Sequence, residues 1–369
     1  MYRASSLAGA YSFVRGTLTM DVLAMHKTYG PVVRIRPNEL AFTTPQAMKD
    51  IYSSKGVGQK GGAIQGDARE LSKLRIFYKP SDRVPDSIIV APFDKHAQLR
   101  KLMAPAFSDK SMREQEPMIT GYVNMLIAKL RDRAATSATV NLNKWYNWTT
   151  FDVIGDLAFG ESFHCLETEK DHAAITLFAN SPNLSAIPIT LRYLGLDLVA
   201  PLALLALGPA AIGFFKHAKE KMKRRMELGS TRADLIEPFI EKKNEGVLTY
   251  NDVQANANLF IFAGSETTAS LLAGVTYLLL VNPDKLARLT DEIRSAFKTE
   301  DEINTKSVQN LTYMLACLGE ALRYYPPAPT GFPRVVPAGG AVIDGLYIPE
   351  GVSPPRRRLC CRTLPSDCR

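Results

Sequence analysis

The stretch TYNDVQANANLFIFAGSETTASLLAGVTYLLLVNP, residues 249–283, decides the fold of this 369-residue chain. Thr249 is a favourable N-cap, and Asp252 three residues later can complete a capping box. Pro283 cannot continue a helix, so the helix must end just before it. At 1.5 Å per residue, about thirty residues span roughly 45 Å, which is the width of a large domain. We therefore predict one central helix over residues 250–281 that crosses the fold.

The middle of this predicted helix contains residues that are unfavourable there. Its sequence is Ala263-Gly264-Ser265-Glu266-Thr267-Thr268, in which glycine and β-branched residues lower helix propensity and apolar neighbours would desolvate a carboxylate. Such local exceptions tend to mark functional sites. We expect residues 263–268 to face an internal cavity, although packing against a neighbouring helix would also explain the serine and threonines.

The rest of the sequence predicts a mainly α fold with small β-sheet pieces. Apolar spacings of three and four dominate after about residue 110, whereas strict alternation is short, as in 32–36 and 341–343. The other predicted helices are 45–53, 94–103, 112–134, 146–159, 171–180, 211–228, 231–245, 283–298 and 312–325.

Charge and composition exclude one class of function. Apolar residues make up 46% of the chain, enough for a large core, and the net charge is +8. Half of that excess lies in residues 354–369, which hold five arginines and one aspartate. The body is therefore only mildly cationic, without the concentrated basic surface of a nucleic-acid reader. We expect no nucleic-acid partner.

The cysteines and the first thirty residues suggest a location in the cell. Three of the five cysteines fall within the last ten residues, which is unlike a disulfide framework and favours a reduced, intracellular protein. Residues 1–30 show neither a signal peptide nor an apolar run of about 20 residues. We expect no N-terminal anchor, and a cytoplasmic location.

A second stretch suggests contact with a membrane surface. Residues 198–215 carry no charge, and six of residues 216–225 are basic. Pro201 and Pro209 each cost ~3 kcal/mol inside a helix, so a membrane span is disfavoured. A buried hairpin, an apolar lip on a membrane and a solvated basic helix face all remain open, and 198–225 is the candidate peripheral membrane contact.

Several motifs in order resemble the cytochrome P-450 family of heme-thiolate monooxygenases. Residues 263–268 resemble the oxygen-activation helix of that family, and Glu320-Ala321-Leu322-Arg323 before Tyr325-Pro326-Pro327 resembles the helix that follows it. The segments 147–155 and 159–163 are similar to those of filamentous-fungal members. The resemblance covers roughly residues 20–351.

The resemblance implies a heme cofactor, electrons from an NADPH-cytochrome reductase, and an apolar small-molecule substrate. The implied reaction inserts one oxygen atom into a C–H bond of a polyketide- or terpenoid-type intermediate of fungal secondary metabolism. Eukaryotic members are tethered to the endoplasmic reticulum, so a peripheral position on its cytosolic face is the alternative to a cytoplasmic one. Residues 198–215 would then border the substrate entrance.

The resemblance also implies roles for single residues. Glu266 and Thr267 would deliver protons during oxygen activation. Arg100, on a helix that carries His96 where tryptophan is usual, and Arg334 would contact the heme propionates. The implied cofactor-binding residues are His96, Arg100, Ala263, Gly264 and Arg334.

The resemblance makes Glu320 and Arg323 structural residues. They would form a buried, mutually paired brace, and breaking such a pair is far more costly than losing a surface pair. Read without the family, a Glu and an Arg three apart on a helix are a surface pair worth ~0.3 kcal/mol.

One part of the family pattern is missing from the sequence. The heme iron is held by the cysteine of a loop that resembles Phe-x-x-Gly-x-Arg-x-Cys-x-Gly, and no such run occurs in the 369 residues. We predict an incomplete cytochrome P-450-like catalytic domain over 1–351, followed by an aberrant Arg/Pro/Cys-rich tail over 352–369 that is disordered and packs against nothing. No metal ligand is assigned. We expect a chain truncated at both ends, lacking the heme-thiolate loop and impaired in activity.

Two other classes of function were weighed. A terpene cyclase is disfavoured because metal-dependent diphosphate ionisation needs clustered acids, and the chain has no Asp-Asp pair. A heme-free remnant, acting as a lipid-binding or interaction protein or arising from a wrongly read transcript, remains the alternative. Heme content distinguishes the enzyme from the remnant.

Overall fold

A computed structural model of the chain describes residues 5–53, 70–79, 85–172, 175, 186–199, 208–229, 234–350 and 360–363, with the backbone alone at 208–215 and 360–363. The chain divides into two compact units. Unit 1 comprises Met1–Gln98, Phe178–Pro209 and Ala328–Arg369, and unit 2 comprises Leu99–Leu177 and Ala210–Pro327.

Helices account for most of the described chain, which confirms the predicted fold class. In chain order they are α1 (Ser6–Val14), α2 (Leu18–Tyr29), α3 (Pro45–Tyr52), α4 (Arg75–Tyr78), α5 (Phe93–Met103), α6 (Asp109–Ala135), α7 (Leu142–Phe159), α8 (Cys165–Thr168), α9 (Ala186–Tyr193), α10 (Gly208–Glu227), α11 (Glu237–Asn244), α12 (Tyr250–Leu280), α13 (Pro283–Ala296) and α14 (Thr312–Tyr324). Short 3-10 helices lie at Ala104–Phe107, Glu300–Glu302 and Ser307–Asn310.

The strands lie in unit 1. They are β1 (Val32–Arg36), β2 (Glu39–Phe42), β3 (Ser72–Lys73), β4 (Arg334–Val335), β5 (Ala341–Ile343), β6 (Leu346–Ile348) and β7 (Cys360–Thr363). One sheet has the order β1-β2-β7-β4-β3, and β5 pairs with β6 in a second, two-stranded sheet. Both predicted strands, 32–36 and 341–343, are confirmed.

The predicted tail differs from the structure at four residues. Cys360–Thr363 form β7, which runs parallel to β2 and antiparallel to β4. The expectation that 352–369 packs against nothing is therefore wrong there. The edges of β2 and β4 present unpaired backbone groups that an extended segment can satisfy whatever its side chains are. Residues 352–359 and 364–369 lie outside the described residues, so the division at residue 351 stays a prediction.

Two apolar clusters form the core of unit 1. One joins α2 to the β1–β2 hairpin through Leu18, Val22, Val33, Ile35 and Ala41. The other joins α3 to β2, β5 and β6 through Phe42, Ala47, Ile51, Leu71, Val336, Ala341, Ile343 and Ile348. In β1 the alternation behind the strand prediction is visible, because Val33 and Ile35 are buried and Arg34 between them is exposed.

The centre of unit 2 is the packing of α12 on α7. The predicted capping box is present, with the Thr249 hydroxyl and the Asp252 carboxylate each accepting from the other's backbone N–H. The helix runs to Leu280, which confirms the predicted span. Among the described residues, α12 alone has the length and apolar composition to cross a membrane, a test that buried helices of soluble proteins also pass.

Other helix predictions agree with the structure to within a few residues, with two exceptions. The predicted helix 171–180 falls largely outside the described residues, and the predicted helix 231–245 is α11, which begins only at Glu237. The N-terminal helix α1 was not predicted, because it buries small residues such as Gly9, Ala10 and Ser12 and gives no periodic signal of large apolar residues. The prediction also missed α2 and α9. The uncharged stretch 198–215 lies mostly outside the described residues.

Candidate functional site

The motif 263–268 presents its polar side chains on the face of α12 opposite α7. Ile261, Ser265 and Ala269 repeat every four residues and are buried, whereas Glu266 and Thr267 are exposed. Helical geometry puts these two sets on different faces. The face of α12 that carries Glu266 and Thr267 is accessible, and the expectation that it lines an internal cavity stays a prediction.

Gly264 allows α12 to approach α7 closely. A Cβ built at this position would lie 2.7 Å from both Cδ1 and Cγ1 of Ile154 on α7. This distance is much shorter than a normal van der Waals contact. The packing of the two helices therefore accounts for the glycine. Next to it, Ala263 is exposed on the accessible face.

Two of the three hydroxyls of the motif, Ser265 and Thr267, each donate a hydrogen bond to a backbone carbonyl but differ in exposure. The buried Ser265 Oγ donates to the Ile261 carbonyl at 2.6 Å, which satisfies it within the helix. The exposed Thr267 Oγ1 donates to the Ala263 carbonyl at 2.5 Å. A hydroxyl that donates in this way keeps its acceptor lone pairs. Thr267 can therefore accept a hydrogen bond on the accessible face of the helix.

The Glu266 carboxylate lies in surroundings that favour its protonated form. Although the residue is exposed overall, nearby protein atoms desolvate the carboxylate and raise its pKa above the usual value. No cation among the described residues pairs with it. A carboxyl group with a raised pKa and no ion-pair partner can hold and release a proton closer to neutral pH.

Arg334 lies on β4 of unit 1 with part of its guanidinium unused. Its Nη1 donates to the Leu71 carbonyl at 2.9 Å and lies 3.6 Å from Glu70 Oε1. The buried Nε has no hydrogen-bond partner within the described part of the chain. A buried donor of this kind costs free energy unless an acceptor reaches it. An anionic ligand group such as a carboxylate would satisfy it, and in this respect the residue fits a heme propionate.

Lys73 adds to the positive charge beside Arg334, and sequence reasoning missed it. Burial, and after it the charge of Arg334, lowers the pKa of Lys73 to about 8. Its Nζ donates to the carbonyls of Ile88 and Ala91 at 3.1 and 3.0 Å. A lysine in a two-residue strand carries no local sequence signal of such surroundings.

The structure brings some of the predicted site residues together and leaves others apart. Ala263, Gly264, Glu266 and Thr267 lie within two turns of α12, in unit 2. On α5, His96 is half-buried and belongs to unit 1, whereas Arg100 is exposed and belongs to unit 2. Arg334 belongs to unit 1.

Glu320 and Arg323 on α14 form the predicted pair but not the predicted burial. Arg323 donates from Nε and Nη2 to the two carboxylate oxygens of Glu320 at 2.8 and 2.7 Å. Their side chains are 59% and 40% exposed, so the expectation of a buried brace is wrong here. The reason is that the last turns of α14 point Ala321 inward and leave the pair facing solvent. The hydrogen bonds from Arg323 lower the pKa of Glu320.

The two described cysteine side chains, Cys165 and Cys317, lie in different surroundings. Cys165 is buried, and burial raises the pKa of its thiol to about 12, which keeps it protonated. Cys317 is half-buried on α14. Within the part of the chain that the structure describes, no group of three His, Cys, Asp or Glu residues could hold a metal ion. The propionate side of a heme site has a fitting residue in Arg334.

Comparison with known proteins identifies relatives along almost the whole chain. The cytochrome P450 family model matches residues 7–353. The cytochrome P450 monooxygenase tpeC of Talaromyces stipitatus is 45% identical over 350 residues, which are 95% of this chain and 68% of the relative. The cytochrome P450 monooxygenase prhB of Penicillium brasilianum is 39% identical, covering 95% of this chain and 70% of the relative.

A third relative carries the name of a reaction. The averantin hydroxylase of Dothistroma septosporum is 39% identical over 360 residues, which are 96% of this chain and 65% of the relative. The family model and the three fungal relatives agree with the motifs on α12 and α14. The chain belongs to the cytochrome P450 family of heme-dependent monooxygenases.

Proposed function

We propose that the chain functions as a monooxygenase that inserts one oxygen atom into a C–H bond of an apolar polyketide- or terpenoid-type intermediate in fungal secondary metabolism. Bound heme supplies the chemistry of oxygen activation, with electrons from an NADPH-cytochrome reductase. The observation that carries the proposal is the pair Glu266 and Thr267, which share the accessible face of α12. The family membership and the names of the relatives support it.

Glu266 and Thr267 act in this proposal as the proton-delivering groups. The raised pKa of Glu266 lets its carboxyl oxygen hold a proton and pass it on. Thr267 Oγ1 already donates its own hydrogen to the Ala263 carbonyl, which fixes the orientation of the hydroxyl. The lone pairs of the oxygen can therefore accept a hydrogen bond from the proton that Glu266 holds. The two residues would form a short donor–acceptor relay at the surface of the helix.

Other residues would hold the cofactor, each assigned through the family resemblance. Arg334 is proposed for one propionate, because its buried Nε lacks an acceptor. Arg100 and His96 are proposed for propionate contact from α5, and Ala263, which is exposed on the accessible face of α12, for contact with the cofactor's flat face. Gly264 faces Ile154 of α7, so its assignment to the cofactor rests on the resemblance alone. Small residues suit such a face because they let the helix backbone come close. No axial ligand is assigned to a described side chain.

A peripheral position on the cytosolic face of the endoplasmic reticulum belongs to the proposal. The described part of the candidate contact 198–225 supports it through exposed Lys216, Lys219 and Lys223 on α10 and through Leu198, which is 95% exposed. Exposed basic side chains and exposed apolar side chains each favour binding to the surface of an anionic membrane. Flotation with and without anionic vesicles would test this contact.

The test of the proposed function is made on the full chain expressed with a heme supply and an NADPH-cytochrome reductase. Heme content is measured first, because a folded protein without heme would support the heme-free remnant and contradict the monooxygenase. For heme-loaded protein, the hydrogen peroxide formed per NADPH consumed is then compared between the parent, Thr267→Ala and Thr268→Ala.

We expect Thr267→Ala to raise the fraction of peroxide formed per NADPH several-fold. Without proton delivery by Thr267, more of the electrons from NADPH end in hydrogen peroxide and fewer in oxidised substrate. Thr268→Ala is the matched control, since it makes the same change at the next exposed position of α12. Equal peroxide fractions in the two variants would remove Thr267 from the relay.

A further inference from the structure

A small cavity in unit 2 lies away from α12, between the segment that follows α7 and the helix α10. Its volume is about 150 Å³. It is lined by three histidines, one lysine, one arginine, one serine and one aromatic ring, which are His164, His172, His217, Lys221, Arg224, Ser162 and Phe163. A cavity with this lining has the chemistry of an anion site.

The two permanent cations of the cavity share one carboxylate. Lys221 Nζ lies 3.4 Å from Glu161 Oε1, and Arg224 donates to the same oxygen from Nε at 3.1 Å and from Nη2 at 2.5 Å. The Lys221 side chain is only 13% exposed, so little solvent screens it. One negative charge thus offsets two positive charges, and Arg224 Nη1 makes no hydrogen bond to any described residue.

The imidazoles add donors. His172 packs 4.9 Å from the ring of Phe163 and 6.5 Å from that of His217, measured between ring centroids. Burial, and after it the charges of His217 and Lys221, lowers the pKa of His172 to about 4, so this ring is neutral at pH 7. A neutral imidazole still carries one N–H donor.

Among the described residues, two exposed glutamates pair with histidines of the cavity. His164 Nδ1 lies 2.8 Å from Glu167 Oε2, and His217 Nδ1 lies 3.5 Å from Glu220 Oε2, both between exposed side chains. Asp152 lies close enough to act on the charge of Lys221, but its carboxylate is buried and accepts from the backbone N–H groups of Cys165 and Leu166. Both carboxylate oxygens of Asp152 therefore already accept backbone hydrogen bonds.

A metal ion does not fit the cavity despite its three histidines. Within the described residues, no three His, Cys, Asp or Glu side chains come close enough to one another to ligate a metal. Lys221 and Arg224 would also repel a cation. An anion instead satisfies the free Arg224 Nη1 and relieves the repulsion between the two cations.

We propose that this cavity binds a phosphate-class oxyanion, held by Lys221, Arg224 and His217. A volume of about 150 Å³ is several times the ~30 Å³ share of one water in the liquid. It accommodates one tetrahedral oxyanion and no extended ligand. Arginine and lysine together recognise phosphate through a planar fork and a point charge. Two sources carry this group, free inorganic phosphate and the exposed headgroup of a phosphatidic acid.

The first arm of the test titrates inorganic phosphate into the full chain at constant ionic strength, with heat of binding as the readout. The expected result is saturable binding of one phosphate per chain. Arg224→Glu should weaken the affinity by about tenfold or more, because it removes a donor and adds a repelling charge. His217→Gln should weaken it by a smaller factor.

Lys223→Glu is the matched control. It makes the same change of charge one residue away on α10, where the Lys223 side chain is 77% exposed and outside the cavity. Circular dichroism and a melting curve check the fold of each variant. If Arg224→Glu does not fold, His217→Gln alone decides, and unchanged affinity in that variant overturns the proposal.

The second arm separates the two sources of the phosphate group. Phosphatidylcholine vesicles with and without phosphatidic acid are spun down with the protein, and free phosphate is added as a competitor. Retention that needs phosphatidic acid and is lost in Arg224→Glu assigns the site to a headgroup, whereas binding of free phosphate alone assigns it to a soluble anion. Absence of both overturns the proposal, and so does a loss of affinity for free phosphate in Lys223→Glu that equals the loss in Arg224→Glu.

Discussion

The side chain of Ile154 on α7 occupies the space that a Cβ on Gly264 of α12 would need. The built Cβ would lie 2.7 Å from two of its carbons, Cδ1 and Cγ1. Gly264 is also the second residue of the motif that carries Glu266 and Thr267. The glycine that lets the two helices touch therefore also fixes how far the motif stands from α7.

We expect Gly264→Ala to lower the free energy of unfolding by about 1–3 kcal/mol, because an extra carbon in a packed interface forces Ile154 or the helices to shift. Alanine's better helix propensity offsets up to about 1 kcal/mol of this cost. Ile154→Ala removes both clashing carbons and should restore part of the loss in the double variant. Denaturant unfolding of the single and double variants measures the coupling.

The matched control for this prediction is Gly121→Ala in the middle of α6. No atom lies within 4 Å of a Cβ built there, and the position is exposed. The same change should stabilise the protein by about 0.5–1 kcal/mol. A loss of stability at Gly121 as large as that at Gly264 would show that helix backbone effects, and not the contact with Ile154, explain the first result.

A buried ion-pair cluster ties α10 to the start of α11. Arg225 is fully buried and donates from Nε and Nη2 to the Asp234 carboxylate at 2.7 and 3.2 Å, and from Nη2 to Glu237 at 2.6 Å. We expect Asp234→Asn to lower the free energy of unfolding by about 3–5 kcal/mol, because it leaves a buried guanidinium without its main counter-charge. Thermal or denaturant unfolding measures the loss.

The pair Glu320 and Arg323 supplies the control for that prediction. It has the same bidentate form but faces solvent. Glu320→Gln should therefore change the unfolding free energy little, since water already screens the pair. A large loss there would mean that α14 is buried in solution against something that the described residues do not include.

The contrast between these two pairs shows what sequence could and could not predict. The span and cap of α12 follow from Thr249, Asp252 and Pro283, which are local signals, and the structure confirms them. Burial of Glu320 depends on residues far along the chain, and local sequence carries no measure of them. The strand at Cys360–Thr363 was missed for the same reason, because its backbone pairs with β2 and β4.

The candidate site divides in a similar way. Family motifs predicted Glu266, Thr267 and Arg334, but the exposure of the motif, the spare Nε of Arg334 and the low pKa of Lys73 depend on three-dimensional surroundings. The cavity lined by His172 and Lys221 gave no signal in the sequence, since its residues come from separate segments.

Cys165 should be nearly inert in the folded protein. Burial raises the pKa of its thiol to about 12, so at pH 8 only about one molecule in ten thousand carries the thiolate that reacts. We expect alkylation of a variant that keeps only this cysteine to be at least about 10³-fold slower in the native protein than in denaturant. Mass spectrometry after timed labelling measures the two rates.

The same experiment bears on the cofactor. If Cys165 does not hold the iron, Cys165→Ser should leave the heme content of the heme-supplied protein unchanged. Loss of heme together with fast labelling would show that the thiol is reachable and serves as a ligand.

Glu266 and Glu320 should give stability opposite dependences on pH. Desolvation raises the pKa of Glu266, so between pH 4 and that higher pKa the folded state binds more protons than the unfolded state. Stability from this group is present at low pH and falls as the pH rises. The Glu266→Gln variant should therefore become more stable relative to the parent as the pH rises from 4 to 8, as measured by the difference in their free energies of unfolding.

For Glu320 the sign reverses, because the hydrogen bonds from Arg323 lower its pKa. The stability that Glu320 contributes is present above the pKa of the unfolded state and is lost as the pH falls. The Glu320→Gln variant should therefore become less stable relative to the parent as the pH rises. Urea unfolding of both variants and the parent at pH 4, 6 and 8 gives the two slopes. Slopes of the same sign would contradict the raised pKa of Glu266, and with it the proposed proton relay from Glu266 to Thr267.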